Sequence, residues 1–378
     1  MVRPMKRREF VIKSSMVGTA MMLSPATRAE GVRSWPRYRG ATVIDALGEP
    51  GNGSFKGNAP LAASELADVK ASGITAVNLT VSSVGSYAKD FEETLQNIAF
   101  WDDQIAKHSG VLMKVKGSGD LVEAKRSGRL GLIYGFQDAT PLGESIDRFD
   151  LFLDLGVRII LFTYNLRNLV GDGCLEPGDA GLSLFGRNLI ARMNERRVLV
   201  DLSHCGRRTT LESIELSRQP VAITHAGCAA IADHPRNKTD EQLRKLADKG
   251  GVFGIYLMPY LRISGQPMAE DVLQHIEHAL NVCGEDHVGI GTDGSISAVT
   301  VTPEYRQAYR AQIAERRKLG IAAPGDREDV FLFVPDLNTP EKFETLAYLL
   351  SKRGHPDSRI EKIIGGNFNR LFGEVWGT

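Results

Sequence analysis

The sequence predicts an α/β fold, a closed (β/α)8 TIM barrel, and three observations carry that prediction. Eight short runs of β-forming residues recur along the chain. Most are continuously apolar rather than alternating, as parallel strands covered on both faces should be. Helical patterns fill the intervals, and no Gly-x-Gly-x-x-Gly follows any run, which argues against an open doubly wound sheet.

The first segment precedes the barrel. Lys6-Arg7-Arg8-Glu9-Phe10-Val11-Ile12-Lys13 resembles a twin-arginine export signal. A weakly apolar stretch from Ser14 to Leu23 follows, and Thr27-Arg28-Ala29 offers small residues at the two cleavage positions. Residues 1–29 are therefore expected to be a signal peptide, and residues 30–378 one barrel domain delivered to the periplasm or secreted. The apolar stretch is too short for a stable membrane span, and no later stretch reaches the roughly 18 consecutive apolar residues of one.

The runs are Ala41–Ala46, Ile74–Thr80, Gly131–Phe136, Val157–Tyr164, Arg197–Leu202, Pro220–His225, Gly251–Tyr256 and His287–Thr292. After the second, Tyr87, Phe91, Leu95, Ile98, Trp101 and Ile105 recur at three and four residues, one face of a long helix. Val111–Val115 reads as an additional short strand before the third run. Thr209-x-x-Glu212 reads as a capping box ahead of Ile214 and Leu216. Thr239-x-x-Gln242 reads as a second, with Leu243 and Leu246 on one side and Gly250 at the helix end. Val272, Ile276, Leu280 and Cys283 mark another helix. Residues 302–340 form a long insertion after the eighth run, with a charged helix over Pro303–Leu319 and a loop rich in Pro, Gly and Asp. Long loops on this face of a barrel serve as lids or specificity elements.

Composition narrows the function classes. Of 378 residues, 42% are hydrophobic and 24% charged, as in soluble globular proteins. Lys+Arg and Asp+Glu both number 46, so no charge excess points to nucleic acid. The four cysteines, Cys174, Cys205, Cys228 and Cys283, form no Cys-x-x-Cys pair, and buried free thiols are the expectation.

Chemistry in such a barrel sits where strands end. The third run ends in Phe136-Gln137-Asp138, the fourth in Thr163-Tyr164-Asn165, the fifth in Ser203-His204, the sixth in Thr224-His225 and the eighth in Thr292-Asp293. Two imidazoles from neighbouring strands and a carboxylate from the last suit zinc, whose catalytic sites use about three protein ligands and leave one position for water.

These residues carry a resemblance. Asp201-Leu-Ser-His204, Pro220-Val-Ala-Ile-Thr-His225, His234-Pro-Arg236-Asn237, Gly181-Leu-Ser-Leu-Phe-Gly186 and Gly365-Gly-Asn367-Phe368 are similar to segments of the membrane (renal) dipeptidase family of zinc peptidases. The likeness spans most of the chain after its leader. It implies a metal-dependent hydrolase barrel, a dipeptide or small-molecule substrate whose carboxylate Arg236 binds, and a homodimer.

The chain departs from that family at the metal ligands. The family's His-x-Asp after the first strand aligns with Leu47-Gly48-Glu49, its bridging glutamate with Gln137, its fourth-strand histidine with Tyr164, and its Phe-Asp-Gly after Asp293 with Gly294-Ser-Ile. A leucine cannot coordinate zinc, and a neutral amide bridges two mutually repelling cations poorly. The expectation is one zinc ion per chain, held by His204 and His225, with Gln137 or Asp293 as third ligand. Asp293 is then the candidate base, Tyr164 a hydrogen-bond donor to the developing oxyanion and a substrate contact, and Arg236 the carboxylate clamp. Three functions remain open from the sequence: a zinc-dependent dipeptidase-like hydrolase, a non-peptidase enzyme acting on a modified peptide or amide, and a catalytically inactive periplasmic binding protein on the same fold.

Overall fold

The computed structural model describes residues 34–52, 58–84 and 87–377, and the leader expected at 1–29 lies outside them. Eight parallel strands form the ring: β1 (Ile44–Asp45), β2 (Ala76–Thr80), β3 (Leu130–Phe136), β4 (Val157–Leu161), β5 (Leu199–Asp201), β6 (Ala222–Ala226), β7 (Val252–Ile255) and β8 (Val288–Ile290). Each pairs with the next in sequence. The ring is completed by the Ala46 amide donating to the Ile290 carbonyl, and by Asp45 accepting from the Thr292 amide and hydroxyl. β2, β3 and β6 reach or pass the ends of their apolar runs, whereas β4 and β8 stop three and two residues short, where Tyr164 and Thr292 lead into the site.

Two cores follow from that ring. Inside it, Ile44, Ile133, Ile159, Leu199 and Val252 meet Phe368, Leu371 and Phe372 of the last helix, Asn367–Trp376. That helix plugs the N-terminal end of the barrel. Gly289 admits it: a Cβ there would lie 2.5 Å from the Phe368 ring, and Asn367 anchors the plug on the Glu285 and Val288 carbonyls. The Gly-Gly-Asn-Phe segment is thus structural and far from the strand ends. Outside the ring, apolar side chains such as Leu132, Val200 and Phe253 pack beneath the surrounding helices.

The helices expected over the long amphipathic stretch and around Val272 are Tyr87–Lys107 and Ala269–Cys283. Thr239 caps Asp240–Asp248 through a capping box with Gln242. The other expected capping box is a correction. The helix Arg207–Leu216 starts after Gly206, so Thr209 lies within its first turn, where its hydroxyl accepts from the Asp172 amide. Glu212 instead accepts from the Leu182 amide and Arg208. Tertiary donors took both side chains from the local motif. A strand at Leu112–Lys114 pairs alongside β3, and the charged insertion helix is Pro303–Lys318. All four cysteines are free thiols. No helix among the described residues is long and apolar enough to cross a membrane.

His275 ties the outer layer to the loop after β6. Its Nδ1 accepts from the Cys228 amide at 2.8 Å and its Nε2 faces the Leu261 carbonyl at 3.0 Å, which fixes the neutral imidazole. Burial lowers its pKa to about 4. An unfolded chain titrates near 6.5, so this stabilisation is complete above that pH and is lost as pH falls toward 4, by roughly 3 kcal/mol in all. Urea unfolding at pH 7.0 and 4.5 should show this loss in the native chain and a smaller one in His275→Gln.

Candidate active site

The C-terminal strand ends open into a cavity of about 800 Å³. Its floor carries Gln137, Tyr164, His204, Arg236 and Asp293, so every candidate site residue except His225 lines it directly. His225 lies just beneath, its ring centroid 5.0 Å from that of His204.

The two imidazoles are held in one tautomer by their partners. Asn165 donates its amide to the Ile321 carbonyl, so its oxygen faces His204 Nδ1 at 2.7 Å and accepts a hydrogen bond from its N–H. Asp201 accepts from the Thr224 hydroxyl, whose oxygen then accepts from His225 Nδ1 at 2.8 Å. Asp201 also accepts from the Ser203 amide and hydroxyl and from the Thr224 amide, locking β5 to β6. Both rings therefore keep an Nε2 lone pair, and both Nε2 atoms are buried without a partner. Burial, then the positive charge of Arg236, keeps both imidazoles neutral, with pKa values well below the usual histidine range.

Two unpartnered imidazole nitrogens with oriented outer partners fit one ion of the zinc type. They do not fit a pair of ions. Among the described residues no third His, Cys, Asp or Glu joins them in a group able to hold a metal. Leu47, Gly48, Glu49 and Gln137 also border a smaller cavity of about 180 Å³, which Asp293 shares. Gln137 spends its amide on the Thr80 hydroxyl, donating at 2.8 Å. The chain thus supplies two imidazoles and, at most, an amide oxygen.

Arg236 is 1% exposed. Its guanidinium donates to the Ser203 carbonyl at 2.8 Å and lies over the Tyr256 ring. It makes no ion pair among the described residues. A buried, unpaired cation beside two neutral imidazoles is a site for an anion. Its loop is set by its motif neighbours: His234 bonds the Pro324 carbonyl and stacks on Tyr260, and Asn237 accepts from the Tyr256 hydroxyl.

Asp293 has a left-handed backbone, φ 55°, and its amide donates to the Leu47 carbonyl. A non-glycine residue in that region stores strain, which clusters at functional sites. Burial pushes its pKa up to about 6, against the lowering influence of Arg236 and Arg316. Tyr164 stacks on His204, with centroids 4.2 Å apart, and its hydroxyl oxygen accepts from Arg316 at 2.9 Å.

No signal in the sequence singles out Asn165, Asp201 or Arg316 for roles, although Asn165 and Asp201 lie inside strand-end motifs. Arg316 lies 152 residues from Tyr164, and no local pattern marks that contact.

A family model for membrane dipeptidase, peptidase family M19, matches residues 60–315. The chain belongs to the membrane dipeptidase family. The dipeptidase verJ of Clonostachys rogersoniana is 29% identical over 77% of this chain and 67% of its own. An uncharacterised dipeptidase of Schizosaccharomyces pombe is 30% identical over 53% of this chain, which spans about half of that relative. Among solved structures, an amidohydrolase of Pseudomonas aeruginosa is 33% identical, covering 91% of this chain and 99% of its own, with a TM-score of 0.78.

Proposed function

We propose that the chain hydrolyses dipeptides or related small amides that carry a carboxylate, using one zinc ion held by His204 and His225. The observation that carries this reading is the pair of buried, unpartnered Nε2 atoms beside the unpaired Arg236. Bound there, zinc would supply a water of lowered pKa and a Lewis acid for the carbonyl.

The chain's own residues account for the rest. Arg236 binds the substrate carboxylate through two N–H donors, which fixes the distance from that carboxylate to the adjacent amide. Asp293, with a pKa near 6, is ionised at neutral pH and takes a proton from the attacking water, then returns it to the leaving amine. Tyr164 already accepts from Arg316, so its own hydroxyl proton remains available to the developing oxyanion. Asn165, and Asp201 through Thr224, hold the tautomer that leaves each imidazole Nε2 its lone pair.

The test is hydrolysis of Ala-Ala, in both configurations at the second residue, by purified protein before and after chelation and zinc return. The expected result is turnover that chelation removes and zinc restores. Full activity after chelation, or no turnover of any small carboxylated amide with zinc present, would overturn the reading.

A further inference from the structure

The floor residues are only part of the cavity lining. Ligand pockets of roughly 300–1,000 Å³ enclose drug-sized molecules, and this one reaches about 800 Å³. A dipeptide of two small residues, seated between Arg236 and Asp293, leaves most of that space empty. The remainder is bounded by Ala308 and Ala311 of the insertion helix, next to its polar Gln312 and Glu315, and by Leu332, Phe333, Val334 and Leu337. Leu332 and Phe333 are only half-buried and face the cavity.

This apolar wall is fixed in place. The Gln266 side chain bonds the backbone of residues 331 and 333 as a neighbouring strand would, accepting from the Phe331 amide and donating to the Phe333 carbonyl at 2.7 Å each. Phe331 stacks on Phe333 and packs against Tyr305. Arg316, at the end of the same helix, pins it to Tyr164 and Asp326. Alanines on the cavity face of the helix keep the space open where larger residues would fill it. With the carboxylate on Arg236 and the amide beside the histidines, the acyl side of the substrate is the part left to extend toward this wall.

We propose that the cavity selects carboxylate-bearing amides whose acyl side carries a bulky apolar group, with Ala308, Leu332 and Phe333 as specificity-determining residues. This rests on the hydrolase reading of the floor. Two sources share the chemistry, an N-acyl amino acid and a dipeptide with a large aromatic first residue.

The experiment uses the zinc-supplied protein and two series: N-acetyl-, N-hexanoyl- and N-decanoyl-alanine, and Ala-Ala, Phe-Ala and Trp-Ala. Turnover is measured on the native chain, and equilibrium affinity on Asp293→Asn, so that binding is read apart from hydrolysis. Full burial strengthens binding by about fourfold per methylene, so at least one series should tighten by tenfold or more. Ala308→Trp, which fills the wall, should flatten that series, whereas Ala314→Trp on the exposed side of the same helix should leave it steep. Two flat series, or a steep one untouched by Ala308→Trp in a folded variant, would overturn the inference. Steep affinity without turnover of any compound keeps the inference and refutes the hydrolase reading. Turnover with flat affinities does the reverse.

Discussion

Replacing Arg236 by methionine should lower kcat/KM for a carboxylated amide by about 30- to 5,000-fold. Losing one partner of a desolvated charge–charge contact costs on the order of 2–5 kcal/mol, and Arg236 is fully buried with its guanidinium beside the two-histidine floor. The discriminating readout is the substrate. A matching amide whose terminal carboxylate is blocked should be a poor substrate for the native chain and should lose little more in the variant. An equal loss on both compounds would mean that Arg236 acts by holding the Ser203 and His225 carbonyls rather than by binding the anion. Arg236→Lys keeps the charge but not the paired donors, and should recover only part of the loss.

The second large effect is expected at Asp293. Asp293→Asn should reduce kcat by roughly 10²- to 10⁴-fold, the usual contribution of a general base, with a much smaller change in KM. The pH profile checks the assignment. Burial raises the Asp293 carboxyl to about 6, so the active, ionised form dominates above that pH and is lost as pH falls through it. The native kcat/KM should therefore rise through about pH 6, and the residual activity of Asp293→Asn should lack that limb. A limb that persists in the variant would assign it to another group, and the base to another residue.

Most of the barrel was legible in the sequence because buried parallel strands announce themselves as continuous apolar runs, and the interval helices by three- and four-residue spacing. The ends of β2 and β3 fall where their runs end, but where β4, β5 and β8 stop could not be read. His225 belongs to β6 itself, whereas His204 lies three residues beyond β5. That difference arises from the Asp201 carboxylate, which folds Ser203 and Thr224 around itself across two strands. The misplaced helix start at Thr209 has the same origin, a donor from Asp172 far away in sequence.

The candidate site was legible in its ligand types but not in its coupling to the insertion. His204, Arg236 and Asp293 stand in short motifs at strand ends. Their link to residues 316–326 runs through Asn165 to Ile321, Tyr164 to Arg316 and His234 to Pro324. These contacts join segments roughly 90 to 150 residues apart, and neither spacing nor composition encodes them. They also give the insertion a double role, as one wall of the cavity and as the support that orients the floor.

The proposed hydrolysis depends on His204 and His225 forming a site for one metal ion. The direct measurement is metal content of the folded protein, purified without chelator and dialysed against zinc, beside a His204→Ala control. About one zinc per chain is expected, lost in the control while the fold is retained. A folded protein that binds no zinc, or one that binds two ions, would contradict it.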